Sequence, residues 1–308
     1  MTAAKPPLVV ILGPTASGKS TLAIALAQQF HGEIVSADSR QTYRGMDIGT
    51  AKVTLQERLL VPHHLLDIAD PQQIYTVSQY QQQAIEAIDD ILARGYLPFL
   101  VGGSPHYIQA VVDHLDLPRV PPDYALRAQL ETRPLAELLA QLEEIDPASA
   151  ATIDRNNPRR VIRALEVCLI SGKPFSQQRG IAAPLYRCFL LGISWPRSLL
   201  YQRIDARVEE RIQQGMVQEV RDLLEHGISH ERLESFGLEY RFISRWLRGE
   251  FASEAEMVTR LKYAIHDFTR RQLAWFHKDK RIVWLEGNDT EQARREVERF
   301  LAVTLHTS

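Results

Sequence analysis

Three features of this sequence predict an α/β fold: a P-loop doubly wound parallel sheet core with an inserted helical domain. The first is LVVILGPTASGKS at residues 8–20, an apolar run that turns through glycines into Lys19 and Ser20. The second is the alternation that follows, in which short apolar runs at 33–37 and 98–101 are separated by a stretch of helical period. The third is a change of composition after Asp113, where a breaker-rich entry leads into helical patterns, with strand character returning only at 188–193.

Residues 8–12 suit a strand buried on both faces, and 21–30 carry Leu22, Ala23, Leu26 and Ala27 at helical spacing. Between them, Gly13, Pro14, Thr15, Ala16, Ser17, Gly18, Lys19 and Ser20 fit the pattern of a loop that cradles phosphate at a helix N-terminus. Gly13 and Gly18 allow backbone angles that side chains forbid, so successive amides can turn onto phosphate oxygens. Lys19 adds a point charge, and Ser20 a hydroxyl for a magnesium ion. A turn without a ligand is the alternative, and the full motif argues against it. Which phosphate is held is not written in the loop.

The run at 33–37 ends in Asp38, Ser39 and Arg40, which places them at the carboxyl edge of the sheet beside the phosphate loop. There Asp38 is either a cap for the next turn or a proton acceptor. GMDIGTAK, residues 45–52, has the glycine content of a loop close to a ligand, with Lys52 a candidate further phosphate contact. His63 and His64 are adjacent and point in different directions, which favours packing or hydrogen bonding over a shared metal. Val77, Tyr80, Ala84, Ile88 and Ile91 mark a helix over 75–94 that stops at Gly95. The third strand, 98–101, then turns sharply at Gly102, Gly103 and Ser104. A nucleotide-hydrolysing loop protein carries a magnesium-holding acid at the end of such a strand, and here that acid is missing. The Ser104 hydroxyl either donates to a phosphate or stabilises the turn.

Residues 114–185 read as a helical insertion between core segments 1–113 and 186–308. LPRVPP at 117–122 opens it, helical patterns follow at 124–130 and 135–145, and a further helix is capped by Asn157, opened by Pro158 and closed by Gly172. Val161, Ile162, Leu165, Cys168 and Leu169 share one side of that helix, while Arg159, Arg160 and Arg163 share another. With Arg155 they form a basic run without an acid, which suits a nucleic-acid backbone better than a merely solvated face. After the strand at 188–193, Arg203, Arg207 and Arg211 recur every four residues beside a stripe of Leu200, Ile204, Val208 and Ile212. With Glu209 and Glu210 alongside, salt-bridged surface is expected for most of them, one turning toward the phosphates. A final helix is expected over 255–277. Residues 270–281 are strongly basic, a second candidate RNA-facing patch, and 282–285 a last edge strand.

The bulk properties narrow the class. The chain has 308 residues, 45% of them hydrophobic, with no apolar run near the length of a membrane span, so no membrane partner is expected. Lys5 is followed by a short apolar run that enters the phosphate loop instead of a cleavage site, and no secretory leader is expected. Cys168 and Cys188 are too few for a disulfide framework and lack metal-ligand spacing, which points to a reducing, cytoplasmic compartment. A net charge of −2 requires any nucleic acid to be held by local basic faces.

The phosphate loop, SADSRQTYRGMDIGTAK, PHHLLD, the glycine turn and PRRVIRALEV occur in one order along the chain, which resembles bacterial tRNA dimethylallyltransferases over most of its length. The resemblance implies that the loop holds the diphosphate of dimethylallyl diphosphate, in keeping with the missing acid. It also implies a tRNA substrate, prenylated on the exocyclic amine of the adenosine just 3′ of an anticodon that reads codons beginning with U. Matched to the family's motifs, Asp38 is the base toward that amine, and Thr15, Lys19 and Ser20 lie in the diphosphate loop. Arg207 matches the diphosphate-binding arginine, and Ser104 stands where the family usually has threonine. Asp38, Ser39, Arg40 and Gln41, together with Arg159, Arg160, Val161, Ile162 and Arg163, match segments that contact tRNA; Arg127 and Ser104 are further contacts. Magnesium is the implied cofactor, the anticodon loop of tRNA the implied partner, and a monomer is expected. Pro105 and His106 replace the family's usual glycine and leucine, and SFGLEYR departs from a SIGYKE-like form.

Three rivals stay open on the sequence: an adenylate isopentenyltransferase, a small-molecule kinase, and a non-catalytic RNA-binding protein that senses nucleotide. The arginine helix and long insertion favour tRNA over a free nucleotide.

Overall fold

The computed structural model describes residues 5–118 and 120–302, so Arg119 of the breaker-rich stretch lies outside the described residues. β1 (Pro7–Leu12) is apolar throughout because helices cover both of its faces. Leu8, Val10 and Leu12 pack with Tyr80, Ala84, Ile88 and Ile91 on one side, whereas Val9 and Ile11 meet Leu22, Ala23 and Leu26 on the other. Each such side chain contributes roughly 1.5–3 kcal/mol when fully buried, so the alternation along the strand assigns a helix to each face. α1 (Lys19–Gln29) starts two residues earlier than its apolar spacing predicts, because Gly18 serves as N-cap in the left-handed region, at φ 94°.

β2 (Gly32–Ser36), α2 (Leu55–Leu60), β3 (His63–His64), α3 (Val77–Ala93), β4 (Leu97–Gly102) and α4 (Pro105–Val112) follow. A capping box opens α3: the Thr76 hydroxyl accepts from the Gln79 amide, and the Gln79 side chain accepts from the Thr76 amide. His63 and His64 have the hydrogen-bonding roles expected of them, to the Val61 carbonyl and the Glu33 carboxylate. They also form a short strand that nothing in PHHLLD signalled. Pro105 takes the first position of α4, where its missing N–H is harmless, which accounts for one departure from the family pattern.

Residues Asp113–Pro184 make a compact unit of their own. It contains β5 (Leu115–Asp116), α5 (Tyr124–Glu131), α6 (Leu135–Ile145), α7 (Pro147–Thr152), α8 (Pro158–Ser171) and β6 (Gly180–Ile181), which pairs antiparallel with β5. Asn157 caps α8 through the Arg160 amide and Gly172 ends it in a left-handed turn. The apolar side of α8 differs from the predicted stripe at one position. Leu169 is 43% exposed, and Ala164 and Val167 are buried instead, beside Val161, Leu165 and Cys168. α7 was not legible, being one and a half turns of small residues.

The chain then resumes the first unit with β7 (Arg187–Ser194), α9 (Arg197–Gln213), α10 (Met216–Glu225), α11 (His230–Ser235), α12 (Leu238–Leu247), α13 (Glu254–Phe276), β8 (Val283–Glu286) and α14 (Thr290–Ala302). α13 is therefore not the final helix. α14 closes the face formed by α1, with Ala293 and Val297 buried there. The six-stranded sheet is parallel throughout, in the order β3-β2-β4-β1-β7-β8. Leu12 pairs with Gly102, and Ser36 with Val101, so β1, β2 and β4 end almost level. That brings the phosphate loop, Asp38 and the glycine turn to one edge. No helix among the described residues is long and apolar enough to cross a membrane.

Candidate active site

The phosphate loop is held by its carbonyls. Lys19 Nζ donates to the Pro14 carbonyl at 2.7 Å, Arg203 Nε to Ala16 at 2.9 Å and Trp195 Nε1 to Ser17 at 2.9 Å. These contacts fix the peptide planes of the loop, so an anion bound to its amides would find them already oriented. Gly18 provides no side-chain cap to α1, which leaves the first-turn amides available to a ligand. A side chain at Gly18 is disfavoured by its left-handed backbone, at φ 94°.

The three arginines of α9 depart from the surface salt bridges expected of most of them. Arg203 lies over the Trp195 ring while holding Ala16, and Arg211, two turns further on, is buried against the Gly49 carbonyl and Glu239. Arg207, between them, is half-buried and makes no hydrogen bond or ion pair among the described residues. Burial pushes its guanidinium down to about 10, and the charge of Arg211 adds to the effect. Lys19 is pushed down to about 8 by burial, against the opposing pull of Asp38 and with the help of Arg207. Arg40 is also lowered by burial, with Asp38 again opposing. The half-buried carboxylate of Asp38 thus lies in the field of Lys19 and Arg40, and Lys19 in that of Arg207. Such a set attracts a multiply charged anion and leaves the carboxylate beside it.

The strand ends are tied to one another. Gly102 approaches Ala37 so closely that a Cβ would meet the Ala37 carbonyl at 2.1 Å, and the Ser104 amide donates to that carbonyl at 3.3 Å. Ser104 Oγ accepts from the Ser39 amide at 3.0 Å, and Asp38 Oδ1 accepts from the Arg40 amide at 2.9 Å. The turn-capping reading of Asp38 is met by that oxygen. Gln41 donates to the Thr50 and Ala51 carbonyls, which joins this turn to the loop at 45–52. That loop is pinned by Glu219, whose carboxylate accepts from the amides of Asp47, Ile48 and Gly49 and from the Tyr240 hydroxyl. Lys52 is not a phosphate contact. It is buried, with Nζ 2.6 Å from both Asp47 and Asp67 and 2.8 Å from the Tyr43 carbonyl.

The IPP transferase family model matches residues 41–279. A tRNA dimethylallyltransferase of Roseiflexus sp. is 50% identical over 93% of this chain and 95% of its own length. The chain belongs to the IPP transferase family. A tRNA dimethylallyltransferase of Thermomicrobium roseum is 45% identical over 96% of this chain and 92% of its own. The crystal structure of the full-length tRNA isopentenylpyrophosphate transferase from Bacillus halodurans superposes with a TM-score of 0.71 at 36% identity, covering 98% of this chain and 97% of that one. That of a eukaryotic dimethylallyltransferase acting on tRNA gives 0.82 at 27% identity, covering 96% and 80%.

The residues matched to tRNA contacts divide into two kinds. Arg127 and Arg163 both donate to Glu166, whose side chain is fully buried, and Arg163 also holds the Val120 carbonyl. They brace the helical unit. Val161 and Ile162 are buried in its core, so their side chains are not available to RNA. Arg155 pairs with Glu143 at 2.8 Å, which corrects the reading of an unpaired basic run. Arg159 and Arg160 are exposed and have no partner among the described residues. In the second basic stretch Arg270 and Arg281 pair with Asp267 and Asp279, while Arg271, Lys278 and Lys280 are exposed and have no partner among the described residues. Sequence reasoning missed Trp195, Glu219 and Gln272. Only Gln272 left a signal, as a polar residue in the stripe Met257, Leu261, Ile265, Thr269, Gln272, Phe276 that α13 buries.

Proposed function

We propose that this chain transfers a dimethylallyl group from dimethylallyl diphosphate to the exocyclic amine of the adenosine just 3′ of the anticodon in tRNAs reading codons that begin with U. The observation that carries the reading is Arg207, half-buried and without a protein partner, between two arginines of the same helix that hold the surrounding loops. Membership of the IPP transferase family supports the substrate class.

An exocyclic adenine amine is a weak nucleophile because its lone pair is delocalised, whereas an allylic carbon tolerates positive charge. Catalysis then consists of accepting the departing diphosphate and placing the amine. As the carbon–oxygen bond breaks, the loop amides, Lys19 and Arg207 meet the growing negative charge. The amine nitrogen bonds to the allylic carbon and its proton passes to Asp38, which stands beside the cradle and is close enough in the field to raise Lys19. Ser104 acts through Ser39, holding the turn that carries Asp38. Arg159 and Arg160 of the helical unit, and Arg271, Lys278 and Lys280 of the second basic stretch, are cations available to RNA phosphates. The adenosine must leave the stacked anticodon loop to reach the site.

Magnesium fits this site only as a substrate-borne ion. Among the described residues no group of three or more His, Cys, Asp or Glu side chains could hold a metal. Ser20, the second residue of α1, offers one half-buried hydroxyl, and magnesium takes few protein ligands when phosphates and waters complete its shell. Bound there, it supplies charge neutralisation on the departing diphosphate. The working form is proposed to be a cytoplasmic monomer.

Diphosphate release tests the reading. With dimethylallyl diphosphate and magnesium, release is expected when unmodified tRNA is present and not with AMP. Hydrolysis of ATP in the absence of a prenyl donor would favour a kinase instead.

A further inference from the structure

Gln272 lies on the buried side of α13, only 6% exposed, in a row that is otherwise apolar except for Thr269. Both ends of its side-chain amide are engaged across the site. Oε1 accepts from the Thr15 amide at 3.3 Å, and Nε2 donates to the Gly103 carbonyl at 2.7 Å. A Cβ built on Gly103 would lie 3.1 Å from Gln272 Nε2, 3.2 Å from the Gly13 carbonyl and 3.6 Å from Lys19 Nζ. The phosphate loop, its lysine, the glycine turn and Gln272 therefore converge just past the ends of β1 and β4, where strand pairing has stopped.

A buried amide is tolerated only when its hydrogen bonds are made. An apolar side chain of similar volume would fill the same place and spare that requirement, so packing alone does not account for a glutamine. What an apolar residue cannot do is span the two loops at a fixed length. We propose that Gln272 is a positioning residue of the transfer reaction, setting the distance between the cradle that accepts the leaving diphosphate and the turn that carries Ser104. The two contacts are unequal in a way that suits this role. The short bond to Gly103 anchors the side chain, and the long one to Thr15 is the bond that a diphosphate oxygen can replace when it takes up the Thr15 amide. The inference rests on the function proposed above.

The test is steady-state transfer from dimethylallyl diphosphate to unmodified tRNA by the full chain and by Gln272→Met and Gln272→Glu, between about pH 6 and pH 9. Misplacement of reacting groups by about 1 Å costs on the order of 10²-fold in rate. Gln272→Met is therefore expected to lower kcat by about 10- to 100-fold with tRNA affinity unchanged. Gln272→Glu keeps an acceptor for Thr15 but, ionised over this range, cannot donate to Gly103, so its kcat is also expected to lie about 10- to 100-fold below the parent's with tRNA affinity unchanged. If Gln272→Met does not fold, Gln272→Glu decides. Parental kcat in either folded variant, or a loss confined to tRNA affinity, would overturn the inference while leaving the proposed function intact. A parent chain that makes no prenylated tRNA would overturn both.

Discussion

The Ser39 amide donates to Oγ of Ser104 at 3.0 Å, so a single hydroxyl joins the turn after β2 to the turn after β4. The hydroxyl accepts that bond and donates to Ser39 Oγ at 3.3 Å, and threonine offers both. Ser104→Thr is expected to keep activity within a few-fold. Ser104→Ala leaves the Ser39 amide unsatisfied at a part-buried site, a loss of about 1 kcal/mol, and is expected to lower kcat by about tenfold as Asp38 loses its support. Equal kcat for Ser104→Ala and the parent would remove Ser104 from the account.

Arg207 should trade stability for activity. Burial lowers its pKa without a described ion pair to offset the loss of solvation, so the charge is kept for a ligand and not for the fold. Arg207→Met is expected to melt at or above the parent temperature while the kcat for transfer falls by more than 10²-fold, the range seen on removing one group that stabilises developing negative charge. A melting temperature several degrees lower would mean that Arg207 is structural.

The lysine of the loop gives a pH signature. Lys19 titrates at about 8 in the free protein because burial disfavours its charge. It is charged below that pH and neutral above, and a diphosphate needs the charged form. The kcat/KM for dimethylallyl diphosphate, which reports groups of the free enzyme, is expected to fall as pH rises through about 8. A value that stays level to pH 9.5 would contradict the assignment.

The basic residues of the helical unit should separate by what they touch. Arg159→Ala and Arg160→Ala are expected to weaken tRNA binding and each to reduce its salt dependence by about one counterion, with thermal stability unchanged. Arg127→Ala and Arg163→Ala remove partners from buried Glu166 and are expected to destabilise the chain by roughly 1–3 kcal/mol. Filter binding at several salt concentrations, paired with thermal melts, distinguishes the two classes. A reversed pattern would refute this division.

The sheet was legible because β1 and its neighbours are apolar on both faces and the motif between β1 and α1 has one structural reading. The convergence at one sheet edge followed, since parallel strands put Asp38 and the glycine turn where their carboxyl ends lie. What stayed hidden depends on which side of a helix faces inward. Arg203, Arg207 and Arg211 share one spacing, yet Arg203 and Arg211 hold different loops while Arg207 holds neither, a division that only the packing of α9 reveals. Glu166 is separated from Arg127 by thirty-nine residues, so the neutralisation of that arginine could not be read from local charge runs. Glu219 and Trp195 act on backbone groups, and such contacts leave no mark in residue pattern.

The central claim is tested most directly by the mass of the nucleosides recovered from unmodified tRNA after incubation with the purified chain, dimethylallyl diphosphate and magnesium, with Asp38→Ala alongside. The account expects one adenosine beside the anticodon to gain a single five-carbon unit, and Asp38→Ala to bind tRNA as the parent does while forming at least 10²-fold less product. Unchanged tRNA from a parent chain that turns over ATP would contradict it.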